Sequence, residues 1–111
     1  MRDLARSIAF YRDAFGLVDD GRITLGSEHI AFMRAGSGWV ELIADAGAAR
    51  STGVVDHLAL RVDDLRAAMA GLRVMGVTLL DEAPLEVAEL GARILFCAGP
   101  DGERIELIER R

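Results

Sequence analysis

Three polar side chains stand where a strand buried on one face would hold apolar ones. In Trp39-Val40-Glu41-Leu42-Ile43, alternation puts Trp39, Glu41 and Ile43 on one face and Val40 and Leu42 on the other. A carboxylate between Trp and Ile is unfavourable there unless a cation or a hydrogen-bond donor meets it. Glu106 sits in the same way between Arg104 and Ile108, and His57 shares a face with Ala59 and Arg61, opposite Leu58, Leu60 and Val62. One imidazole and two carboxylates, with no thiolate, suit a divalent cation: Zn, Ni, Co, Mn, Fe or Mg. An ion held by three such groups keeps open positions for a substrate that chelates through two oxygens. As a Lewis acid it would stabilise an enediolate or enolate formed by proton removal. The plainer alternative pairs Glu41 and Glu106 with arginines such as Arg61 or Arg104 and leaves His57 half-buried and structural. Spacing alone leaves both readings open.

Other reactive side chains offer less. His29, beside Ile30, Ala31 and Phe32, suits a surface or hydrogen-bonding role. Cys97, within Leu95-Phe96-Cys97-Ala98, has no activating base nearby in sequence and suits a small core position. Tyr11 reads as core or rim. No segment matches a P-loop, a dinucleotide fingerprint, a His-Glu-x-x-His helix or a serine elbow.

The chain that must position these residues has 111 of them, half hydrophobic, which suits a single domain over 1–111 with a core of its own. One cysteine excludes an internal disulfide framework and a Cys-based zinc site. No apolar run reaches the length of a membrane span, and the segment from Met1 to Arg6 lacks a signal-peptide pattern. These features predict a cytoplasmic protein with no membrane partner. A net charge of −5 argues against nucleic acid, since phosphate binding needs a basic surface. Arg2, Arg6 and Arg12 could form a local basic patch, but scattered solvated arginines on a helix explain them more simply.

Periodicity predicts two amphipathic helices. Leu4, Ile8, Tyr11 and Phe15 recur at helical spacing before Gly16, and Leu65, Met69, Leu72 and Met75 do so before Gly76. Asp3 and Asp64 are placed to cap them. Strands are expected at 22–26, 29–34 and 39–44, and again at 57–62, 77–81, 92–98 and 103–109. Ala35-Gly36-Ser37-Gly38 and Gly99-Pro100-Asp101-Gly102 read as hairpin turns. The halves therefore overlay: Asp3-Leu4 on Asp64-Leu65, and Val40-Glu41-Leu42-Ile43 on Ile105-Glu106-Leu107-Ile108. The expected layout is an α+β fold with an N-terminal αβββ module at 1–44, a linker at 45–53 and a C-terminal βαβββ module at 54–111. The strand that opens the second module has its counterpart upstream of Met1, so the first module is expected to lack it. The strand beside that gap would be left with an unpaired edge.

Three blocks resemble the vicinal oxygen chelate superfamily, which includes glyoxalase I, methylmalonyl-CoA epimerase, extradiol dioxygenases and proteins of fosfomycin and bleomycin resistance. They are Asp3 to Tyr11 with Phe15-Gly16-Leu17, His57 to Leu65, and Gly99 to Leu107. The resemblance implies paired βαβββ modules whose sheets form an open, barrel-like cleft around a metal ion. It maps the metal positions onto His57, Glu41 and Glu106, with the fourth position preceding Met1. It also implies that Glu41 or Glu106 transfers the proton. The activity implied is a lyase or isomerase of the lactoylglutathione lyase or methylmalonyl-CoA epimerase kind, acting on a small carbonyl or thioester substrate. The single histidine of Val55-Asp56-His57 leans toward the former. A homodimer is expected, both from the open edge and from the family. The alternatives are a metal-free protein that sequesters a ligand, as bleomycin-resistance relatives do, or a degenerate truncated relative.

Overall fold

Asp3 and Asp64 open the two helices as their residue types predict. Asp3 Oδ1 accepts the backbone N–H of Arg6 at 3.0 Å, and Asp64 Oδ1 accepts that of Ala67 at 3.0 Å. Each carboxylate satisfies one of the amide donors that a helix leaves unpaired at its start. Helix α1 follows over Leu4–Phe15 and α2 over Leu65–Val74. Gly16, at φ 70°, closes α1 in the left-handed conformation that glycine adopts without strain. A computed structural model describes residues 3–44 and 57–110, the side chain of Leu25 apart, so the expected linker at 45–53 lies outside the described residues. The chain divides into two compact units, Met1–Ser51 and Thr52–Arg111.

In the first unit, β1 (Val18–Leu25), β2 (Glu28–Ala35) and β3 (Gly38–Ala44) form an antiparallel sheet in the order β1-β2-β3. Gly36 and Ser37 make the turn between β2 and β3, closed by the Ala35–Gly38 pair. Strand β1 starts earlier than its apolar pattern predicts. A bulge between Asp19 and Arg22, with Gly21 at φ 114°, breaks the alternation there and so hides the first half of the strand. Helix α1 covers one face of the sheet, burying Ile8 and Tyr11 with Ala31, Met33 and Leu42.

The second unit has a four-stranded sheet in the order β4-β7-β6-β5, built from β4 (Leu58–Arg61), β5 (Leu85–Val87), β6 (Ala92–Ala98) and β7 (Arg104–Arg110). β4 pairs with β7 in parallel and the other neighbours are antiparallel. The parallel pair is possible because α2 carries the chain across between β4 and the rest of the sheet. Helix α2 packs on β6 and β7, where Leu95, Cys97, Ile105 and Leu107 are all fully buried at 0% exposure. Glu109 fastens this helix to the sheet: its Oε2 accepts the Leu65 N–H at 2.7 Å, while Oε1 pairs with Arg93 at 3.0 Å.

The strand expected at 77–81 is replaced by a single bridge between Leu79 and Cys97. Backbone bonds from Leu80 to Phe96 and from Ala98 to Thr78 flank that bridge. The Asp81 carboxylate then accepts the Phe96 N–H at 2.9 Å, occupying the donor that a longer strand would need. Pro84, which has no N–H to donate, follows, and pairing resumes only at Leu85. The architecture is α+β, with three strands in the first described sheet and four in the second. No helix among the described residues is long and apolar enough to cross a membrane.

Candidate functional site

Strand register assembles the site, because it decides which side chains face one another. In β7, Ile105 and Leu107 point beneath α2, so Arg104, Glu106 and Ile108 emerge on the opposite face. Glu106 is paired across the sheet with Phe96 on β6 and with Ala59 on β4. His57 immediately precedes β4 and shares the face of Ala59. Its Nε2 lies 3.9 Å from Glu106 Oε1, with the side chains 32% and 15% exposed. That separation is too long for a hydrogen bond. The imidazole and the Phe96 ring stand nearly perpendicular, with centroids 5.1 Å apart. The Arg104 guanidinium lies over the same ring, 4.5 Å from its centroid. One aromatic ring thus meets both the imidazole and the guanidinium.

The first unit repeats part of this pattern. Glu41 on β3 is paired with Phe32 on β2, as Glu106 is with Phe96. Glu41 is exposed between Trp39 and Ile43, as alternation requires. Trp39 occupies the position that Arg104 holds in the second unit and is 61% exposed. Its indole Nε1 donates to Asp20 Oδ2 at 2.8 Å, which fixes the ring against rotation. Ile23, Ile30 and Ile43 form a cross-strand row on the same face.

His57 and Glu106 are thus brought together, while Glu41 lies on the matching strand of the other unit. Glu106 lies within ion-pair range of the His57 imidazole. Within the second unit no further described His, Cys, Asp or Glu joins the pair to make a group of three. The pair itself fits a divalent ion. Metal–nitrogen and metal–oxygen bonds of about 2.0–2.2 Å place two ligands of one ion roughly 3–4 Å apart. Neither donor is tied up in a direct bond to the other, and both retain solvent access.

The remaining candidates fall away from the site. His29 Nδ1 is 3.3 Å from the Thr24 hydroxyl, a hydrogen-bonding role on the exposed part of the first sheet. Cys97 is buried, and desolvation together with the charge of Glu103 pushes its thiol up to about 11. It therefore stays protonated and unreactive at neutral pH. Arg12 binds the neighbouring Asp13 at 2.7 Å, so that guanidinium is already engaged. The residue that sequence reasoning missed is Phe96. Its signal was the shared Phe of Ala31-Phe32-Met33 and Leu95-Phe96-Cys97, masked by hairpin turns of unequal length in the two halves.

Comparisons with known proteins bear on the fold and the family. A Bacillus subtilis (strain 168) protein named Uncharacterized protein YwbC is 34% identical, over 99% of this chain and 91% of its own. The trypanothione-dependent glyoxalase I of Leishmania major superposes with a TM-score of 0.79 at 25% identity, covering 96% of this chain and 78% of the other. Glyoxalase I of Zea mays gives 0.82 at 28% identity over 97% of this chain, which spans 41% of the maize protein. The model of the Glyoxalase/Bleomycin resistance protein/Dioxygenase superfamily matches residues 1–107. With a match of that extent, and with the two-sheet α+β architecture, the chain belongs to that superfamily.

Proposed function

We propose that the protein is a glyoxalase-like, metal-dependent lyase or isomerase, with His57, Glu106 and Glu41 as metal ligands and a small carbonyl or thioester compound as substrate. The observation that carries this reading is the His57–Glu106 pair, 3.9 Å apart on one sheet face and without a hydrogen bond between them. When bound, a divalent ion supplies Lewis-acid stabilisation for the enediolate or enolate left by proton removal. The protein's own groups do the rest. Phe96 packs perpendicular to the imidazole, whose Nε2 lies 3.9 Å from the carboxylate. Glu41 or Glu106 accepts the proton from the carbon beside the carbonyl and returns it to the neighbouring carbon or to the opposite face. The apolar side chains Phe96 and Ile108, half-buried around Glu106, limit the access of water to that carboxylate.

The working form is proposed to be a cytoplasmic homodimer. β7 receives β4 along one edge, whereas no described strand pairs with the corresponding edge of β3. An edge left unpaired within its own chain would invite a strand from a second chain.

Proton transfer is the step to test. The metal-supplemented protein should exchange solvent deuterium into the carbon beside the carbonyl of a methylglyoxal–thiol hemithioacetal or a 2-methyl-branched acyl thioester. Glu41→Gln or Glu106→Gln should reduce that exchange by about 100-fold or more, the scale of general-base catalysis. Absence of exchange with both substrate classes and every divalent ion would exclude the enzyme.

A second reading, ligand sequestration without chemistry, has one specific support: the pinned and exposed Trp39 beside Glu41. A fixed indole next to a carboxylate suits a flat cationic ligand. Quenching of Trp39 fluorescence by such ligands, with no turnover, would favour it.

A further inference from the structure

Glu109 uses both of its carboxylate oxygens within the second unit. Oε2 accepts the Leu65 N–H at 2.7 Å, across 44 residues of sequence. Oε1 lies 3.0 Å from Arg93 Nη2, on the residue paired with Glu109 in the ladder of β6 and β7. The side chain is 16% exposed, so solvent screens these contacts little. By alternation Glu109 shares the face of Ile105 and Leu107 beneath α2, opposite to that of Glu106. It acts on the site only through the segment that its bond to Leu65 holds.

That segment runs from α2 back through β4 to His57. β4 makes four residue pairs with β7, all parallel, and Val62 N adds a bond to Ile108 O at 2.9 Å. Its apolar residues Leu58, Leu60 and Val62 recur at every second position. A slip of two residues along β7 would therefore keep the same face inward, yet carry His57 about 6.6 Å along the strand. Alternation does not distinguish these two registers. The bond between Leu65 and Glu109 does, because a displacement of that size breaks it. Leu65 is 1% exposed, and its N–H is one of the donors that a helix leaves unpaired at its start. Without Glu109 that donor would be buried and unsatisfied.

We propose that Glu109 is a positioning residue for the His57–Glu106 site. Its bond to the Leu65 N–H fixes the register of β4 on β7, and so keeps the imidazole beside Phe96 and the Glu106 carboxylate. Arg93 orients Glu109 by holding its other oxygen. The inference rests on the function proposed above for the use made of this geometry, but the geometry itself can be observed without metal or turnover.

NMR of the metal-free protein tests it, since nuclear Overhauser contacts between the His57 and Phe96 rings report their 5.1 Å separation. Glu109→Ala should weaken those contacts at least threefold and lower Zn affinity at least fivefold. Glu109→Gln keeps an oxygen for the Leu65 N–H but not the ion pair with Arg93, and should fall between wild type and Glu109→Ala. Leu72→Val, which loosens the core under α2 without touching Glu109, should leave the contacts at wild-type strength. Undiminished contacts in Glu109→Ala, or an equal loss in Leu72→Val, would overturn the proposal. If Glu109→Ala does not fold, Glu109→Gln and Arg93→Gln carry the test, and wild-type contacts in both would overturn it. Weakened contacts in Glu109→Ala, with no Zn bound by the wild type, would support the positioning role and refute the metal-dependent function alone.

Discussion

At the scale of single residues, polarity marks the candidate site but not which of its groups meet. His57, Glu41 and Glu106 were visible as polar interruptions of apolar strands. The pairing of His57 with Glu106, and the role of Phe96 between His57 and Arg104, depends on cross-strand register. Hairpin length sets that register, and it is not legible until the turns are resolved. Cys97 shows the converse: its apolar neighbours correctly implied a core position. Its thiol stands at about 11, above the ordinary value of 9.0. The folded state therefore holds this proton more tightly than the unfolded chain does. The resulting stabilisation is present in full below pH 9 and is lost as pH rises toward about 11. Urea denaturation should accordingly show the wild type losing more stability than Cys97→Ala across that interval. Thiol-directed reagents at neutral pH should label Cys97 only after unfolding.

At the scale of elements, both helices were legible because several independent signals coincided. Each has an aspartate cap, a 3.6-residue apolar period and a following glycine. Replacing Asp64 by alanine removes the bond to Ala67 N and should lower stability by about 1 kcal/mol, measured by urea denaturation. The strands were less legible where side chains substitute for backbone. The segment at 77–81 has the apolar content of a strand, yet Asp81 takes the Phe96 N–H and ends the ladder. Apolar content reports burial, whereas a ladder also needs backbone donors that are not already satisfied. The early start of β1 was hidden in a similar way, since a bulge around Gly21 turns the alternation of Asp19, Asp20 and Arg22 out of phase.

At the scale of the whole molecule, the internal repeat was the most informative feature of the sequence. It carried the α+β class, the paired modules and the equivalence of Glu41 with Glu106, and the superfamily match extends over residues 1–107. The proposed ion site takes these two glutamates, with His57 as the nitrogen ligand. The most direct test is calorimetric titration of the metal-free protein with Zn, Ni, Co and Mn, alongside His57→Ala, Glu106→Gln and Glu41→Gln. The expected result is one tightly bound ion per chain, with affinity lowered at least tenfold in each variant while the fold, followed by circular dichroism, persists. Binding no tighter than millimolar for every ion, or wild-type affinity in all three variants, would contradict the assignment of a metal centre to these residues.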